Sequence, residues 1–177
     1  GLAAGVAVLR AVQACGVQNA KLKWPNDLVV EGKKLAGVLV DVQGEAGGPL
    51  QVVVGVGLNY APDLASTKLI VGAGGLPPVS LTELSDAALV GRNKVAAELI
   101  TAMITVLQRF TSAGFDSFLD EWRSADYLRD KVVQVAAGDR ETIGVARGIS
   151  GDGQLLVESD GRLQQLVSCE VSVRTAL

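Results

Sequence analysis

The residues best equipped for chemistry stand together in "KWPND", Lys23 to Asp27, followed shortly by Lys34. An ammonium, an indole, an amide and a carboxylate side by side are costly to bury unless each finds a partner. Pro25 lacks an N–H and biases Trp24 toward extended backbone, so a strand ladder is interrupted where Asn26 and Asp27 occur. Polar groups at such a break can face a cleft. A hairpin folded around Glu31-Gly32 sets Val30 opposite Lys33 and Val29 opposite Lys34. Asp27 and Val29 share a face, so Asp27 lies diagonal to Lys34 within reach of a long side chain. A converging carboxylate and ammonium can orient a charged substrate and offset negative charge as it develops. The same spacing also suits an ordinary cross-strand ion pair on a solvated face.

Two further features carry polar or glycine signals. Gly37 follows Lys34 within the apolar run "LAGVLVDV", where a strand glycine marks either the close approach of a ligand or another backbone, or a bulge. "GVGLN", Gly55 to Asn59, is not a dinucleotide-binding fingerprint, because it lacks the third glycine and "YAPDL" does not open a helix. Its glycines suit a strand end approached by something else, with Gly57 next to the tip and Asn59 projecting from it. An asparagine amide can pair with the N6/N7 edge of adenine, or simply cap a turn.

The sequence contains no histidine, which removes Ser-His and Cys-His triads, imidazole zinc sites and histidine acid–base pairs. Chemistry must then run on Lys, Arg, Asp, Glu, hydroxyls, backbone N–H groups or a metal held by oxygen.

The elements that must position these groups are legible in outline. "GLAAGVAVLRAVQACG" places Leu2, Val6, Leu9 and Val12 on one helical stripe with Gly16 as its stop. The chain thus opens inside a helix, and a preceding segment is expected. From Lys21 to Tyr60 the pattern is β, read as three or four antiparallel strands, with "LQVVVGVGL" apolar enough to be covered on both faces. Ala61 to Val79 reads as a long loop. "SLTEL" follows, with Ser80 and Glu83 in capping-box positions. A helix is predicted over Asn93–Phe110, with Val95, Leu99, Met103, Val106 and Phe110 on one side, then a short helix in "FDSFLDEWRSA". From about Leu128 five short strands read as a small barrel.

Composition bounds the rest. At 177 residues, 49% hydrophobic and 20% charged, the chain can bury a core. Sixteen basic against 19 acidic residues give a net charge of −3, so no basic field draws it to nucleic acid or an anionic membrane. The apolar runs are too short to span a bilayer. Cys15 and Cys169 have no metal-ligand or CxxC spacing and read as two reduced thiols in a cytoplasmic protein.

Taken in order, "KWPNDLVVEGKKLAGVLVDV", "VVVGVGLN", a helical region and a small C-terminal β module resemble the biotin protein ligase family over essentially the whole chain. The resemblance implies an α+β fold. A mixed β-sheet flanked by helices, class II synthetase-like, would occupy residues 1–127, and an SH3-like barrel residues 128–177. It implies a two-step enzyme. Biotin and MgATP give biotinyl-5'-AMP and pyrophosphate, and a lysine of a biotin carboxyl carrier protein, an acyl-CoA carboxylase subunit, then accepts the biotinyl group. On the residues that match the family's motifs, Lys34 contacts the biotin carboxylate and the α-phosphate. Trp24, Asn26 and Asp27 line the site, where Asn26 and Asp27 would contact the adenylate or, with Asp27 as the ligand, hold Mg²⁺. The hairpin placement of Asp27, apart from the resemblance, also makes it the candidate proton acceptor for the incoming lysine. Lys23 adds charge, Gly37 and Gly57 leave room for the ligand, and Asn59 reads adenine. Arg174 is either a phosphate contact or a surface charge, with the second preferred.

The family's glycine- and arginine-rich loop and its Ser/Thr-Asn stretch, expected before the first helix, are not in this sequence, and no stretch reads as a helix-turn-helix. A homodimer is compatible with the resemblance. The alternative is a non-catalytic remnant or scaffold that binds a partner protein through its barrel. A lipoate or octanoyl transferase fits less well, because KWPND followed by KLAG argues for biotin.

Overall fold

The first helix, α1 (Leu2–Ala14), is apolar nearly all round, and it is buried accordingly: Val6, Ala7, Val8, Leu9 and Val12 are shielded from solvent. The predicted stripe is therefore part of a wider contact surface. α1 ends in a Schellman motif: Gly16 takes φ +100°, its N–H donates to Gln13 O at 3.0 Å, and the Val17 N–H donates to Val12 O at 3.0 Å. The computed structural model describes residues 1–44, 48, 50–63, 70, 75–84, 90–137, 140–167 and 171–175. Most of the expected long loop, and Cys169, lie outside the described residues.

Four strands follow α1: β1 (Lys21–Lys23), β2 (Asp27–Val30), β3 (Lys33–Gln43) and β4 (Gln51–Leu58), paired in that order. The turn between β2 and β3 has Glu31 at φ 51° and Gly32 at φ 78°, both left-handed as a two-residue hairpin requires. Val30 pairs with Lys33 and Val29 with Lys34, as the hairpin reading demands. A bulge then shifts the ladder to Leu28 opposite Ala36 and Asp27 opposite Gly37.

Two expectations need correction. The mixed sheet is antiparallel throughout its named strands, and parallel pairing occurs among the described residues only at the isolated bridges Leu22–Asp126 and Lys34–Pro78. Short turns between consecutive strands permit antiparallel pairing only. β4 is not covered on both faces. Val54, Val56 and Leu58 pack toward the core, while Val53, Gly55 and Gly57 alternate onto an open face beside Leu39, which is 72% exposed. β4 stands at the end of the ladder, and glycine offers that face nothing to bury.

The second long helix, α2 (Arg92–Ala113), contains the predicted span, and α3 (Asp116–Ser124) supplies Phe118 and Trp122 to the core. Val95 and Val106 are buried, with Leu99 and Met103 packed partly against the core, but Phe110 remains 44% exposed near the last turn. The predicted stripe therefore ends before Phe110. The C-terminal strands are β5 (Val132–Ala137), β6 (Arg140–Ile149), β7 (Leu155–Ser159), β8 (Arg162–Leu166) and β9 (Val171–Thr175). They form an antiparallel sheet in the order β8-β7-β6-β5-β9. Among the described residues no ladder joins β8 to β9, so this five-stranded sheet is open. Val133, Ile149, Leu155 and Val173 belong to the same apolar cluster as α1, β2 and β3. No helix among the described residues is long and apolar enough to cross a membrane.

Candidate active site

Lys34 and Asp27 meet. Lys34 Nζ lies 2.5 Å from Asp27 Oδ1, with the carboxylate much the less exposed of the two. Asp27 Oδ1 is buried and accepts no aligned hydrogen bond, so the ammonium is its partner. Beneath the pair lies Gly37, the cross-strand neighbour of Asp27. A Cβ there would come within 3.2 Å of Lys34 Cε and Nζ and 3.4 Å of Asp27 Oδ1. The space over Gly37, where a ligand or another backbone was the expectation, is taken by the side chains of this ion pair.

Lys34 is also held through its backbone. Its N–H donates to Pro77 O at 2.8 Å, and its carbonyl accepts from the Val79 N–H at 2.9 Å and from Asn59 Nδ2 at 3.0 Å. The Asn59 N–H donates to Leu35 O at 2.9 Å. Segment 77–79 is thus strapped along β3, and its far end is pinned by Glu83. That carboxylate accepts from the Ser80 N–H at 2.8 Å and the Ser80 hydroxyl at 2.6 Å, which lowers its pKa. The capping-box reading holds, on a short 3-10 turn, Leu81–Glu83.

Lys23, Asp27, Lys34, Asn59, Pro77 and Arg174 contribute to the wall of a cleft of about 780 Å³. Lys23 is nearly enclosed, at 8% exposure, and its Nζ donates to Val173 O at 3.0 Å. Burial lowers its pKa. Asp27 acts against that shift, and the neighbouring Lys34 and Arg174 charges add to it. Three cations around one carboxylate make the cleft receptive to an anion.

The other expected site residues lie elsewhere. Asn26, Gly37 and Gly57 line a shallower hollow of about 440 Å³ on the open face of β3 and β4. Asn26 is paired with Val38 in both directions: Nδ2 donates to Val38 O at 2.9 Å, and the Val38 N–H donates to Asn26 O at 2.8 Å. Trp24 lines neither space. It is 1% exposed, follows Lys23 into a cis peptide with Pro25, and donates its indole N–H to Gly153 O at 3.1 Å.

Reasoning from the sequence missed the strap, whose proline pair was an available sign of extended backbone. Arg174, expected as a surface charge or a phosphate contact, is exposed and lines the cleft wall. Among the described residues no group of three or more His, Cys, Asp or Glu side chains could cage a metal, and Asp27 is the one carboxylate lining the cleft.

Residues 2–59 match the Biotin/lipoate A/B protein ligase family, and residues 130–174 match the Biotin protein ligase C terminal domain. The Bifunctional ligase/repressor BirA of Salmonella typhimurium is 32% identical over 176 residues, 99% of this chain and 53% of that protein. The Biotin--[acetyl-CoA-carboxylase] ligase of Mycobacterium tuberculosis is 32% identical over 166 residues, 91% of this chain and 57% of that protein. The chain spans about half the length of the curated relatives it matches. The solved biotin protein ligase from Aquifex aeolicus in complex with biotin and ATP superposes with a TM-score of 0.76. The match covers 99% of this chain and 70% of that one at 22% identity, a likeness of fold. With matches to the family near both ends, and with KWPND, KLAG and GVGLN standing in order between them, the chain belongs to the biotin protein ligase family.

Proposed function

We propose that this chain carries the ligase chemistry of its family, joining biotin to ATP as biotinyl-5'-AMP and passing the biotinyl group to a lysine of a biotin carboxyl carrier protein. The observation that supports this most is the Lys34–Asp27 pair over Gly37 in the wall of a cation-lined cleft. Attack of the biotin carboxylate on the α-phosphorus brings two anions together, and Lys34 offsets that repulsion while pyrophosphate departs. Lys23 and Arg174 extend the positive field along the cleft for the remaining phosphates. Asp27, the one carboxylate lining the cleft among the described residues, would hold Mg²⁺ brought with the nucleotide, an ion that takes one or two carboxylates beside phosphate oxygens and waters. That ion would supply further charge neutralisation at the phosphates.

Asn59 spends one N–H on Lys34 O. An amide has a second N–H and an acceptor oxygen, which is what pairing with the adenine edge requires. Gly37 and Gly57 form the floor of the ligand face, and Asn26 shapes its rim. Trp24 enters this reading through packing behind the site. In the transfer step the carrier lysine attacks the acyl carbon, AMP leaves, and Asp27 takes the amine proton. An Asp27→Asn protein should therefore transfer biotin from preformed adenylate more slowly than wild type, and an unchanged rate would refute the proton-acceptor role.

The C-terminal sheet, residues 128–177 by the sequence division, is read as the SH3-like module of the family, and the buried thiol of Cys15 suits a reducing cytoplasm. The direct test supplies the intact protein with biotin, MgATP and a carrier domain, and follows pyrophosphate release and biotin incorporation. Both should be present, and both should drop by about a hundredfold or more in Lys34→Ala, the scale at which a charge-stabilising donor acts. Absence of both in the wild-type protein would favour the scaffold reading.

A further inference from the structure

The first two side chains of KWPND are committed differently from the last. Lys23 Nζ donates to Val173 O in β9, and Trp24 Nε1 donates to Gly153 O in the turn between β6 and β7. Both acceptors are backbone carbonyls of the C-terminal sheet, and both donors are nearly shielded from water. The turn itself is pressed against α1: Gly153 has φ +79°, and a Cβ there would lie 2.6 Å from Leu2 Cδ1. In β9, Val173 turns inward and is buried, so strand alternation turns Arg174 outward, where it lines the cleft with Lys23 and Lys34.

We propose that Lys23 and Trp24 are positioning residues that dock β9 and the β6–β7 turn onto the first sheet, and so hold Arg174 at the cleft wall to meet the nucleotide phosphates. This inference rests on the ligase reading for its ligand and on the two hydrogen bonds for its mechanism. It differs from simple packing in one respect: loss of the Trp24 bond must reach ATP through Arg174.

The test uses the intact protein with biotin and MgATP, in wild-type, Trp24→Phe, Arg174→Ala and doubly substituted forms. Trp24→Phe keeps an aromatic ring and removes the N–H. KM for ATP, read from pyrophosphate release, is expected to rise about fivefold, near 1 kcal/mol, with kcat unchanged. In the Arg174→Ala background the same substitution should add nothing. Amide hydrogen exchange over residues 171–175 should quicken in Trp24→Phe, and also in Lys23→Met, which keeps the stem and removes the ammonium. Additive effects on KM, or unaltered exchange in β9, would overturn the proposal. A wild-type protein that releases no pyrophosphate would instead remove the ligase reading, and exchange in β9 would then decide the docking by itself.

Discussion

Lys34 and Asp27 can meet because the residue beneath them has no side chain. In Gly37→Ala the new Cβ would press on the far end of a flexible lysine and on a carboxylate oxygen, not on backbone. Folding should change by less than about 1 kcal/mol, the usual range for glycine to alanine in a strand, whereas pyrophosphate release should fall at least about tenfold, because small displacements of reacting groups are costly. Denaturant titration beside the activity assay separates the two effects. A second residue reports on pH. Asp126 follows α3, accepts the Leu128 N–H on Oδ1 at 2.9 Å, and has its pKa raised above 3.8 chiefly by burial. A raised carboxyl favours the protonated fold, so this contribution is complete below pH 3.8 and is lost as pH rises through the higher folded value. Asp126→Asn keeps the acceptor and removes the buried charge. It should be more stable at neutral pH by about 1 kcal/mol, with less decline in stability just above pH 3.8. Thermal melts at pH 4 and pH 7 would show both. Of these groups, the pairing of Lys34 with Asp27 was legible in the hairpin spacing. The burial of Asp126 was not, since it depends on a strand far away in the chain.

At the scale of elements, local pattern and local structure agree where one turn sets the outcome. Glu31-Gly32 specified the β2–β3 register, and Gly16 specified the end of α1. Gly16→Ala should destabilise the protein by about 1 kcal/mol, the cost of a side chain in the left-handed region, without altering ligand affinity, measurable by urea titration and ATP binding. The bulge beside Leu28 was not legible, because no residue type announces which strand will take the extra residue. β4 shows a reading that went astray on hydrophobicity alone. In "VGVGL" the glycines alternate with valine and leucine, a period of two that marks one buried face, and the overall apolar content concealed it. α2 shows the opposite limit: Phe110 keeps the helical spacing but lies beyond the surface that the core covers.

At the scale of the molecule, the two sheets share one core. Apolar residues of α1, the first sheet and the C-terminal sheet form a continuous cluster. The seam is reinforced by Arg123 on Ile149 O at 3.1 Å together with the Lys23 and Trp24 bonds to Val173 O and Gly153 O, while the Leu22 N–H on Ala125 O and the Tyr127 N–H on Leu22 O, both at 2.8 Å, tie β1 to the segment after α3. Arg10 clamps α1 to Glu121 of α3 through Nε and Nη2, one to each carboxylate oxygen. Heat should therefore unfold residues 1–127 and 128–177 in one cooperative transition, with equal calorimetric and van't Hoff enthalpies; two resolved transitions would show that the seam does not couple them. Hydrophobic period, turn residues and the KWPND–KLAG–GVGLN order were enough to reveal the elements, the hairpin register and the family, because each depends on neighbours within a few positions. The closure of the cleft by the 77–79 strap and Arg174, and the use of Lys23 and Trp24 as anchors for β9 and the β6–β7 turn, depend on contacts between distant stretches of chain. Only packing brings Val173 to Lys23 and Gly153 to Trp24, and no local pattern carries that information.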